Sequence, residues 1–193
     1  MQCLYIKEKK DMRIIAGSAK GKRIKCRDGF DTRPTTDRVK ESLFSMIAPL
    51  VDGAIVLDLF SGTGNLALEA ISRGAKRAVM IEKDKEALRM IIQNVNNLGF
   101  ESQCRAYKNE TMRALEILGK KREKFTLIFL DPPYKDNVCT KVIEKIASVG
   151  VLGEGGLIVA EHHILEDLPD TIGEFKKVDE RRYGKKELSF YTR

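Results

Sequence analysis

The sequence predicts an α/β protein built around an open, doubly wound, mostly parallel β-sheet. From Ile55 onward, short apolar runs rich in β-branched residues alternate with segments whose apolar residues recur at steps of three and four. This alternation is expected when helices connect parallel strands and cover both faces of a sheet. The chain has 193 residues, of which 42% are hydrophobic and 33% charged, enough for one such domain and a small appendage.

The segment before the sheet predicts a β-hairpin and a helix. Residues 1–11 follow neither a helical nor a strand period, so we interpret them as a flexible tail or an alternative start. Within residues 13–25, two short β-prone runs flank a turn of glycine, serine and lysine, a pattern typical of a hairpin. Apolar residues then recur at helical spacing from Asp37 and predict one amphipathic helix that ends near Ala48.

The remaining strands and helices follow in alternation. Strands are predicted at residues 55–59, 77–81, 103–107, 125–130 and 157–161, and helices at residues 65–72, 85–97, 111–118 and 138–149. Two last β-prone runs, 174–183 and 188–191, flank a Gly-Lys-Lys turn and predict an antiparallel pair. We therefore expect a seven-stranded, mostly parallel sheet with an antiparallel C-terminal hairpin, after a small N-terminal hairpin and helix. The expected divisions are the tail (1–11), the N-terminal hairpin and helix (12–50) and the sheet domain (51–193).

The positive charge of the chain is concentrated near its N-terminus. The formal net charge is +7, and between Met12 and Lys40 there are nine basic residues and three acidic ones. A local excess of this size attracts a polyanion such as nucleic acid, although a solvated basic surface would have the same composition. The candidate nucleic-acid contacts are Arg13, Lys20, Lys22, Arg23, Arg33 and Arg38.

Other residue types argue against a metal site and a membrane span. The four cysteines are far apart and form no CxxC pair, so neither a zinc site nor a redox pair is predicted. His162 and His163 are adjacent on an expected strand, where side chains point to opposite faces, which is poor geometry for a shared metal. No apolar run reaches the roughly 18 residues of a membrane span, and no signal-peptide pattern is present. We therefore expect a cytoplasmic protein.

The first chemical motif is Asp131-Pro132-Pro133-Tyr134, directly after the predicted strand 125–130. At the carboxyl edge of a parallel sheet, α/β proteins bind their ligands. The two prolines donate no backbone hydrogen bond and leave the carbonyl groups of Asp131 and Pro132 available as acceptors. An acidic side chain, two carbonyl groups and an aromatic ring together predict a receptor for a flat group that bears an NH2.

The second motif is the loop Asp58–Gly64 between the first predicted strand and its helix. Gly62 and Gly64 let the backbone turn tightly and approach a ligand, and the following helix offers unpaired N–H groups. Glu82 comes 20 residues after Gly62, at the end of the next strand, where a carboxylate accepts the hydroxyl groups of a ribose. A dinucleotide would suit this geometry. Asp58 favours S-adenosylmethionine, because a carboxylate repels a pyrophosphate but pairs with a cationic methionine group. Asn109 and Glu110, after the third strand, would then lie beside the adenine.

These motifs, together with IEKD at residues 81–84, resemble class I S-adenosylmethionine-dependent methyltransferases that modify exocyclic amino groups. The longer segments RIIAGSAKGKRI, RPTTDRVKESLF and LDLFSGTGNLALEAISRGA resemble the bacterial 16S ribosomal RNA guanine-N2 methyltransferase family, and the closing YGKKELSFY resembles its final hairpin. The resemblance covers residues 12–193. The chain departs from the family pattern slightly, with Ser61 and Thr63 where alanine and serine are frequent and Glu110 where an aspartate is common.

The resemblance implies a Rossmann-like methyltransferase that acts on the N2 amine of a guanine in 16S ribosomal RNA, either naked or within the small ribosomal subunit. Residues 12–50 would bind RNA, and residues 51–193 would bind S-adenosylmethionine and catalyse the transfer as a monomer, without a metal. The expected cofactor contacts are Asp58, Phe60, Ser61, Gly62, Thr63, Gly64, Glu82, Lys83, Asn109 and Glu110, and the expected catalytic residues are Asp131, Pro132, Pro133 and Tyr134.

Two alternatives remain open from the residues alone. An adenine-N6 methyltransferase acting on RNA or DNA would use the same Asp-Pro-Pro-Tyr motif, although this chain is too short to hold a separate DNA-recognition domain. A nucleic-acid-binding module with an inactive cofactor fold would have broken motifs, whereas Asp58, Gly62, Gly64, Glu82 and Asp131 are all present.

Overall fold

The computed structural model describes residues 12–26, 37–133 and 138–193, and the expected tail (1–11) lies outside them. The strands are β1 (Met12–Arg13), β2 (Arg23–Ile24), β3 (Ile55–Asp58), β4 (Arg77–Glu82), β5 (Cys104–Lys108), β6 (Phe125–Leu130), β7 (Leu152–His163), β8 (Thr171–Ile172), β9 (Phe175–Tyr183) and β10 (Lys186–Thr192). The α-helices are α1 (Asp37–Met46), α2 (Asn65–Ser72), α3 (Lys85–Leu98), α4 (Thr111–Lys120) and α5 (Val138–Val149).

The main sheet has the order β5-β4-β3-β6-β7-β10-β9-β8. Neighbours from β5 to β7 pair in parallel, and β10, β9 and β8 continue the sheet as antiparallel strands. The predicted α/β fold is confirmed. Among the described residues, this sheet has eight strands, one more than the seven predicted, because the two residues of β8 pair with the start of β9. The strand order reverses between β3 and β6, and such a switch point opens a ligand crevice at the carboxyl ends of the strands.

Most predicted elements agree with the structure to within two residues, and α2, β6 and α5 have the predicted bounds. The largest difference is β7, which was expected at residues 157–161 and spans Leu152–His163. Three glycines between residues 153 and 156 break the apolar pattern without ending the strand, and the pairing with β6 changes register between Phe125 and Leu127. A bulge of this kind accommodates extra residues that a simple strand pattern does not reveal.

The predicted N-terminal hairpin is confirmed, with strands of only two residues each. Met12 lies opposite Ile24, and Arg13 lies opposite Arg23. The following helix, α1, ends at Met46, two residues before the predicted end, and a short 3-10 helix (Ala48–Leu50) continues the chain. Its proline has no N–H to donate to a further α-helical turn, which explains the change of helix type.

Two apolar cores lie on opposite faces of the sheet, because neighbouring residues of a strand point in opposite directions. On β3, for example, Val56 belongs to the first core and Leu57 to the second. Residues of the hairpin, α1, α2 and α3 cover the first face, and residues of α4 and α5 cover the second. The rings of Phe44 on α1 and Phe129 on β6 are 5.9 Å apart, so α1 packs directly on the central strands.

The structure describes helices between residues 37 and 133 and from residue 138 onward. None of these described helices is long and apolar enough to cross a membrane. The thiols of Cys104 and Cys139 are buried, whereas Cys26 is exposed. Cys3 lies outside the described residues.

Candidate active site

The glycine loop (residues 59–64) turns from β3 into α2. The N–H of Ser61 donates to a carbonyl oxygen of β4 at 3.1 Å and fixes the loop against that strand. Gly62 and Gly64 have φ values of 55° and 83°, a region that most side chains adopt only with strain. A Cβ atom on Gly62 would have no described heavy atom within 4 Å, whereas one on Gly64 would lie 3.2 Å from both Leu68 and Met80. Gly62 thus leaves one side of the loop open, and Gly64 allows close packing underneath it.

Glu82 holds the glycine loop against the end of β4. Its Oε2 accepts from the N–H of Gly62 at 2.9 Å, and its Oε1 accepts from the N–H of Asp84 at 2.8 Å. Each carboxylate oxygen has a second acceptor position, so both oxygens retain capacity for a hydroxyl group. The 20-residue spacing between Gly62 and Glu82 therefore has a direct structural basis. With this spacing, the side chain of Glu82 at the end of β4 reaches the glycine loop that follows the neighbouring strand β3.

Asp58 is buried at the end of β3, directly before the glycine loop. Burial raises the pKa of its carboxyl group to about 7, and the negative charge of Glu82 acts in the same direction. Hydrogen bonds from Phe60 and from Ala67, in the first turn of α2, partly oppose this rise. A cation beside Asp58 would favour the ionised form. These properties are consistent with the predicted pairing of Asp58 with a cationic methionine group.

The segment after β5 packs against the glycine loop. The N–H of Asn109 donates to the carbonyl oxygen of Glu82 at 3.1 Å, and the Thr111 hydroxyl donates to the carbonyl oxygen of Leu59 at 2.9 Å. The side-chain oxygen of Asn109 accepts from the N–H of Glu110 at 3.0 Å. Sequence reasoning missed Thr111, because a threonine at a helix start gives no signal of contact with a distant loop.

Several other predicted cofactor residues lie along the same edge of the sheet and differ in exposure. Phe60 and Thr63 are half-buried in the glycine loop, and Ser61 is buried there. Asn109 is half-buried beside the loop. Lys83, directly after β4, and Glu110, directly before α4, are exposed.

Asp131 follows β6, the strand that pairs with β3, so it lies at the switch point beside the end of β3. Burial raises the pKa of the Asp131 carboxyl group, the charge of Glu161 raises it further, and Lys186 opposes the rise. Pro132 is buried and Pro133 exposed, whereas the fourth predicted catalytic residue, Tyr134, lies outside the described residues. The structure therefore brings the Asp-Pro-Pro segment to the same edge as the glycine loop.

Glu161 and Lys186 form an ion pair next to Asp131. Leu130 pairs with Ala160, so Asp131 and Glu161 follow at neighbouring positions of two parallel strands. Glu161 is buried, and Lys186 reaches it from the start of β10. Sequence reasoning missed this pair because only the antiparallel pairing of β7 with β10 brings the lysine to that position. The position of Glu161 at the end of an apolar strand was the sequence signal that could have indicated this ion pair.

Buried polar side chains attach the N-terminal hairpin to α2. Both oxygens of Glu69 accept main-chain N–H groups of the hairpin, from Ile15 at 2.8 Å and from Ala16 at 3.0 Å. The Lys40 ammonium lies 3.1 Å from Glu69 and donates to the carbonyl oxygen of Arg13 at 2.6 Å and to Asn65 at 2.8 Å. Burial lowers the pKa of Lys40, and the Glu69 carboxylate opposes this change.

The basic residues proposed to bind RNA occupy two regions. Lys20 and Lys22 are exposed near the hairpin tip, which packs on the carboxyl end of α2 through a 2.7 Å hydrogen bond from Ser18 to Ser72. Arg13 and Arg23 are exposed on the hairpin strands, and Arg38 is exposed in the first turn of α1, while Arg33 lies outside the described residues. The guanidinium group of Arg13 pairs with Asp37 at 3.1 Å. The hairpin tip therefore lies at the end of α2 opposite to the glycine loop.

The two histidines are part of the sheet. His162 is buried, and its Nε2 lies 2.9 Å from the hydroxyl group of Ser189 on β10. His163 Nδ1 accepts from the N–H of Leu165 at 3.2 Å. Within the residues that the structure describes, no group of three or more histidine, cysteine, aspartate or glutamate side chains could hold a metal ion.

Comparison with known proteins gives matches over nearly the whole chain. Residues 12–192 match the model of a family described as conserved hypothetical protein 95. The protein named “Putative rRNA methyltransferase YlbH” of Bacillus subtilis is 40% identical over 182 residues, which cover 94% of this chain and 99% of that protein. Ribosomal RNA small subunit methyltransferase D of Escherichia coli strain K12 is 32% identical over 182 residues, which cover 94% of this chain and 90% of that protein.

A solved structure shows the same fold over the same span. The protein titled “Putative methyltransferase yhhF from Escherichia coli” is 32% identical and superposes with a TM-score of 0.84. The superposition covers 95% of this chain and 98% of that chain.

Proposed function

Because this chain belongs to a family of ribosomal RNA methyltransferases, described as conserved hypothetical protein 95, we propose that it methylates the N2 amine of a guanine in 16S ribosomal RNA. The methyl donor is S-adenosylmethionine. The substrate is either naked 16S ribosomal RNA or the small ribosomal subunit, which implies a cytoplasmic location. The main structural support for this proposal is the position of Asp131 at the end of β6, directly beside the strand that leads into the glycine loop.

The residues around the glycine loop fit the proposed methyl donor. Glu82 would accept the ribose hydroxyl groups, since both of its oxygens retain acceptor capacity beyond the bonds to Gly62 and Asp84. Asp58 would pair with the cationic methionine group, and the open side of Gly62 leaves room for close approach. Asn109, with Glu110 next to it, would line the adenine. When bound, S-adenosylmethionine supplies a methyl group on a positively charged sulfur, which is a good leaving group.

The Asp-Pro-Pro segment would orient the target amine. A guanine turned out of its stack costs a few kcal/mol and exposes its N2 amine to a protein pocket. We propose that this amine donates to the Asp131 carboxylate and to the Pro132 carbonyl oxygen, with the Tyr134 ring against the base. Two acceptors fix the direction of the nitrogen lone pair toward the methyl group, so the main catalytic contribution is orientation.

Proton transfer requires no strong base before the reaction. The amine proton becomes acidic only after the nitrogen has gained the methyl group and a positive charge. The carboxylate of Asp131, which is half-buried, stabilises that developing charge. Its raised pKa, caused first by burial and then by Glu161, makes it a suitable acceptor for the departing proton.

The proposal is tested by mapping the methylated base. The protein is incubated with isotopically labelled S-adenosylmethionine and with small ribosomal subunits, or naked 16S ribosomal RNA, from cells that lack the modification. Mass spectrometry of nuclease digests should then show the label on the N2 position of one guanine. Label on adenine N6 would contradict the base assignment and support the adenine-N6 alternative. Label on no base of either substrate would contradict the function as a whole.

A further inference from the structure

A basic groove opens on the surface between α1 and the β9–β10 hairpin. Its volume is about 460 Å3, and it is lined by Arg38 and Val39 of α1 together with Arg182, Tyr183 and Gly184. Both arginine side chains are exposed, whereas Tyr183 is half-buried. Arginine contacts phosphate groups through two parallel hydrogen bonds, and an aromatic ring offers a surface for a base or sugar. The groove thus combines the two residue types that bind single-stranded RNA.

The walls of the groove are joined by a direct side-chain contact. The hydroxyl groups of Ser42 on α1 and Tyr183 on β9 are 2.5 Å apart, within hydrogen-bonding distance. The guanidinium Nε of Arg182 donates to the carbonyl oxygen of Gly184 at 3.5 Å, so this side chain lies along the turn. The groove is therefore a formed feature in which α1 and the hairpin are held together.

The groove lies at the same edge of the sheet as the proposed catalytic segment. Tyr183 ends β9 opposite Lys186, and the side chain of Lys186 pairs with Glu161 beside Asp131. In the sheet order, β9 is three strands from β6, a separation of roughly 14 Å at the usual strand spacing. A few extended nucleotides span that distance.

The N-terminal hairpin tip lies in a different direction. Lys20 and Lys22 are near Ser72, at the carboxyl end of α2, whereas the glycine loop precedes the amino end of the same helix. The tip is consequently displaced from the edge that contains Asp131 by about the length of α2, roughly 12 Å. The groove lies along the sheet edge that contains Asp131, whereas the hairpin tip lies away from that edge.

Acidic residues lie near the groove, but the charge around it remains positive overall. Glu187 lies opposite Arg182 on β10, and its carboxylate lies 3.7 Å from the Nε2 of buried His162. Asp37 precedes Arg38 in α1 and pairs with Arg13 at 3.1 Å. The turn after Gly184 adds Lys185 to the same end of the hairpin. The charge next to the groove therefore suits a polyanion.

We propose that this groove binds the RNA strand immediately beside the target nucleotide. Arg38 and Arg182 contact backbone phosphates, and Tyr183 contacts an adjacent base or sugar. This inference rests on the proposed RNA substrate and adds a second binding region, the β9–β10 hairpin, to the predicted N-terminal one. The β9–β10 region, unlike the hairpin tip, lies at the carboxyl edge of the sheet, where Asp131 also lies.

The test measures binding separately from methyl transfer. Fluorescence anisotropy with a labelled single-stranded RNA oligonucleotide, in the presence of S-adenosylhomocysteine, compares wild type with Arg182→Glu, Arg182→Lys and Arg38→Glu. The matched control is Lys176→Glu, an exposed residue of the same strand about 20 Å away, at the opposite edge of the sheet. Circular dichroism and the dissociation constant for S-adenosylhomocysteine verify that each variant is folded.

We expect Arg182→Glu and Arg38→Glu each to weaken RNA binding about tenfold or more and to reduce the slope of log K against log salt by about one to two. Arg182→Lys should retain most of the affinity, and Lys176→Glu should be close to wild type. Equal, small effects of Arg182→Glu and Lys176→Glu would overturn the proposed groove. Absence of methyl transfer by the wild type would instead contradict the proposed function, because the binding comparison does not depend on turnover.

Discussion

At the scale of single residues, four acidic side chains at the carboxyl edge of the sheet have different environments. Glu82 accepts two main-chain N–H groups, and Glu161 pairs with Lys186. The pKa values of Asp58 and Asp131 are both raised, in each case chiefly by burial. These two are the side chains to which the proposed function assigns a cation and an amine. Strongly shifted pKa values concentrate at functional sites, where burial and nearby charges are arranged to suit the reacting groups.

Replacing Asp131 tests its role in orienting the amine. In Asp131→Asn, the carboxamide oxygen still accepts one hydrogen bond, but the charge that stabilises the methylated amine is lost. We expect turnover to fall by about 100-fold or more, with the dissociation constant for S-adenosylmethionine within about threefold of wild type. Single-turnover methylation and isothermal titration calorimetry measure the two quantities. A variant that keeps both wild-type values would exclude Asp131 from the reaction.

The dependence of turnover on pH tests the influence of Glu161 and Lys186 on Asp131. Asp131 is charged only above its raised pKa of about 8, so the single-turnover rate at saturating S-adenosylmethionine should rise with pH to a plateau. Glu161→Gln removes a neighbouring negative charge and should shift the midpoint down by roughly one pH unit. Lys186→Met removes a positive charge and should shift it upward.

The double variant Glu161→Gln/Lys186→Met is the control for this pH experiment. It removes both charges without leaving one of them buried and unpaired, so its midpoint should lie between those of the single variants. Identical midpoints for all four proteins would show that Asp131 does not control the rate.

Asp58→Asn should increase the free energy of unfolding and weaken cofactor binding. The raised pKa means that the cost of burying the charged carboxylate is absent below pH 3.8 and grows as the pH rises toward about 7. Without cofactor, the variant should therefore gain about 2–4 kcal/mol of unfolding free energy at pH 8 and clearly less at pH 5. Urea unfolding at both pH values measures this difference. An equal gain at pH 5 and pH 8 would argue against a charged Asp58 in the folded state.

At the scale of elements, the N-terminal hairpin depends on the carboxyl end of α2. Ser72 accepts from Ser18 through its carbonyl oxygen and from Ala19 through its hydroxyl oxygen. Gly17 has a φ of 83°, and a Cβ atom there would lie 1.7 Å from the carbonyl oxygen of Ser72. The hairpin can approach the helix this closely only because residue 17 lacks a side chain.

Gly17→Ala and Gly21→Ala form a matched pair that separates contact from backbone strain. Both glycines have positive φ values, but a Cβ atom on Gly21 would have no described neighbour within 4 Å. Gly21→Ala should cost about 1–2 kcal/mol from strain alone. Gly17→Ala should cost at least roughly 3 kcal/mol, because the hairpin must move away from α2. Urea unfolding of both variants measures the costs, and equal values would contradict the close packing.

At the scale of the whole molecule, the N-terminal segment and the sheet form one apolar core. Ile14 of the hairpin and Leu43 of α1 belong to the same buried cluster as Phe129 of β6 and Leu188 of β10. The buried Lys40 and Glu69 add a charged contact between α1 and α2. The described parts of this segment, residues 12–26 and 37–50, therefore cover part of one face of the sheet, in addition to any role in binding RNA.

Removing the first 50 residues tests this shared core. A variant that begins at Val51 exposes the apolar side chains that α1 and the hairpin cover, so we expect no cooperative unfolding transition and no thermal shift with S-adenosylhomocysteine. The full-length protein should unfold in one transition by both near-UV and far-UV circular dichroism. A soluble fragment that binds S-adenosylhomocysteine as tightly as the full-length protein would show that residues 51–193 fold independently.

Local sequence patterns predicted the alternation of strands and helices and the edge of the sheet at which the candidate site lies. The bounds of α2, β6 and α5 followed from local apolar periodicity, which is a property of neighbouring residues. The glycine loop, Glu82 and Asp131 were identified because parallel strands place their carboxyl ends along one edge. Local patterns do not show which distant side chains meet.

The partners of Asp131 and the positions of the basic regions depend on contacts between distant parts of the chain. Lys186 reaches Glu161 because β10 pairs antiparallel with β7, a long-range pairing that residue spacing does not encode. The hairpin tip lies away from Asp131 because buried Glu69 and Ser72 attach it along α2. A net charge counted from the sequence does not show where on the folded protein the charged side chains lie. The positions of these side chains depend on how the segments that carry them pack. That packing is fixed in part by buried polar groups, which must find hydrogen-bond partners once they leave water.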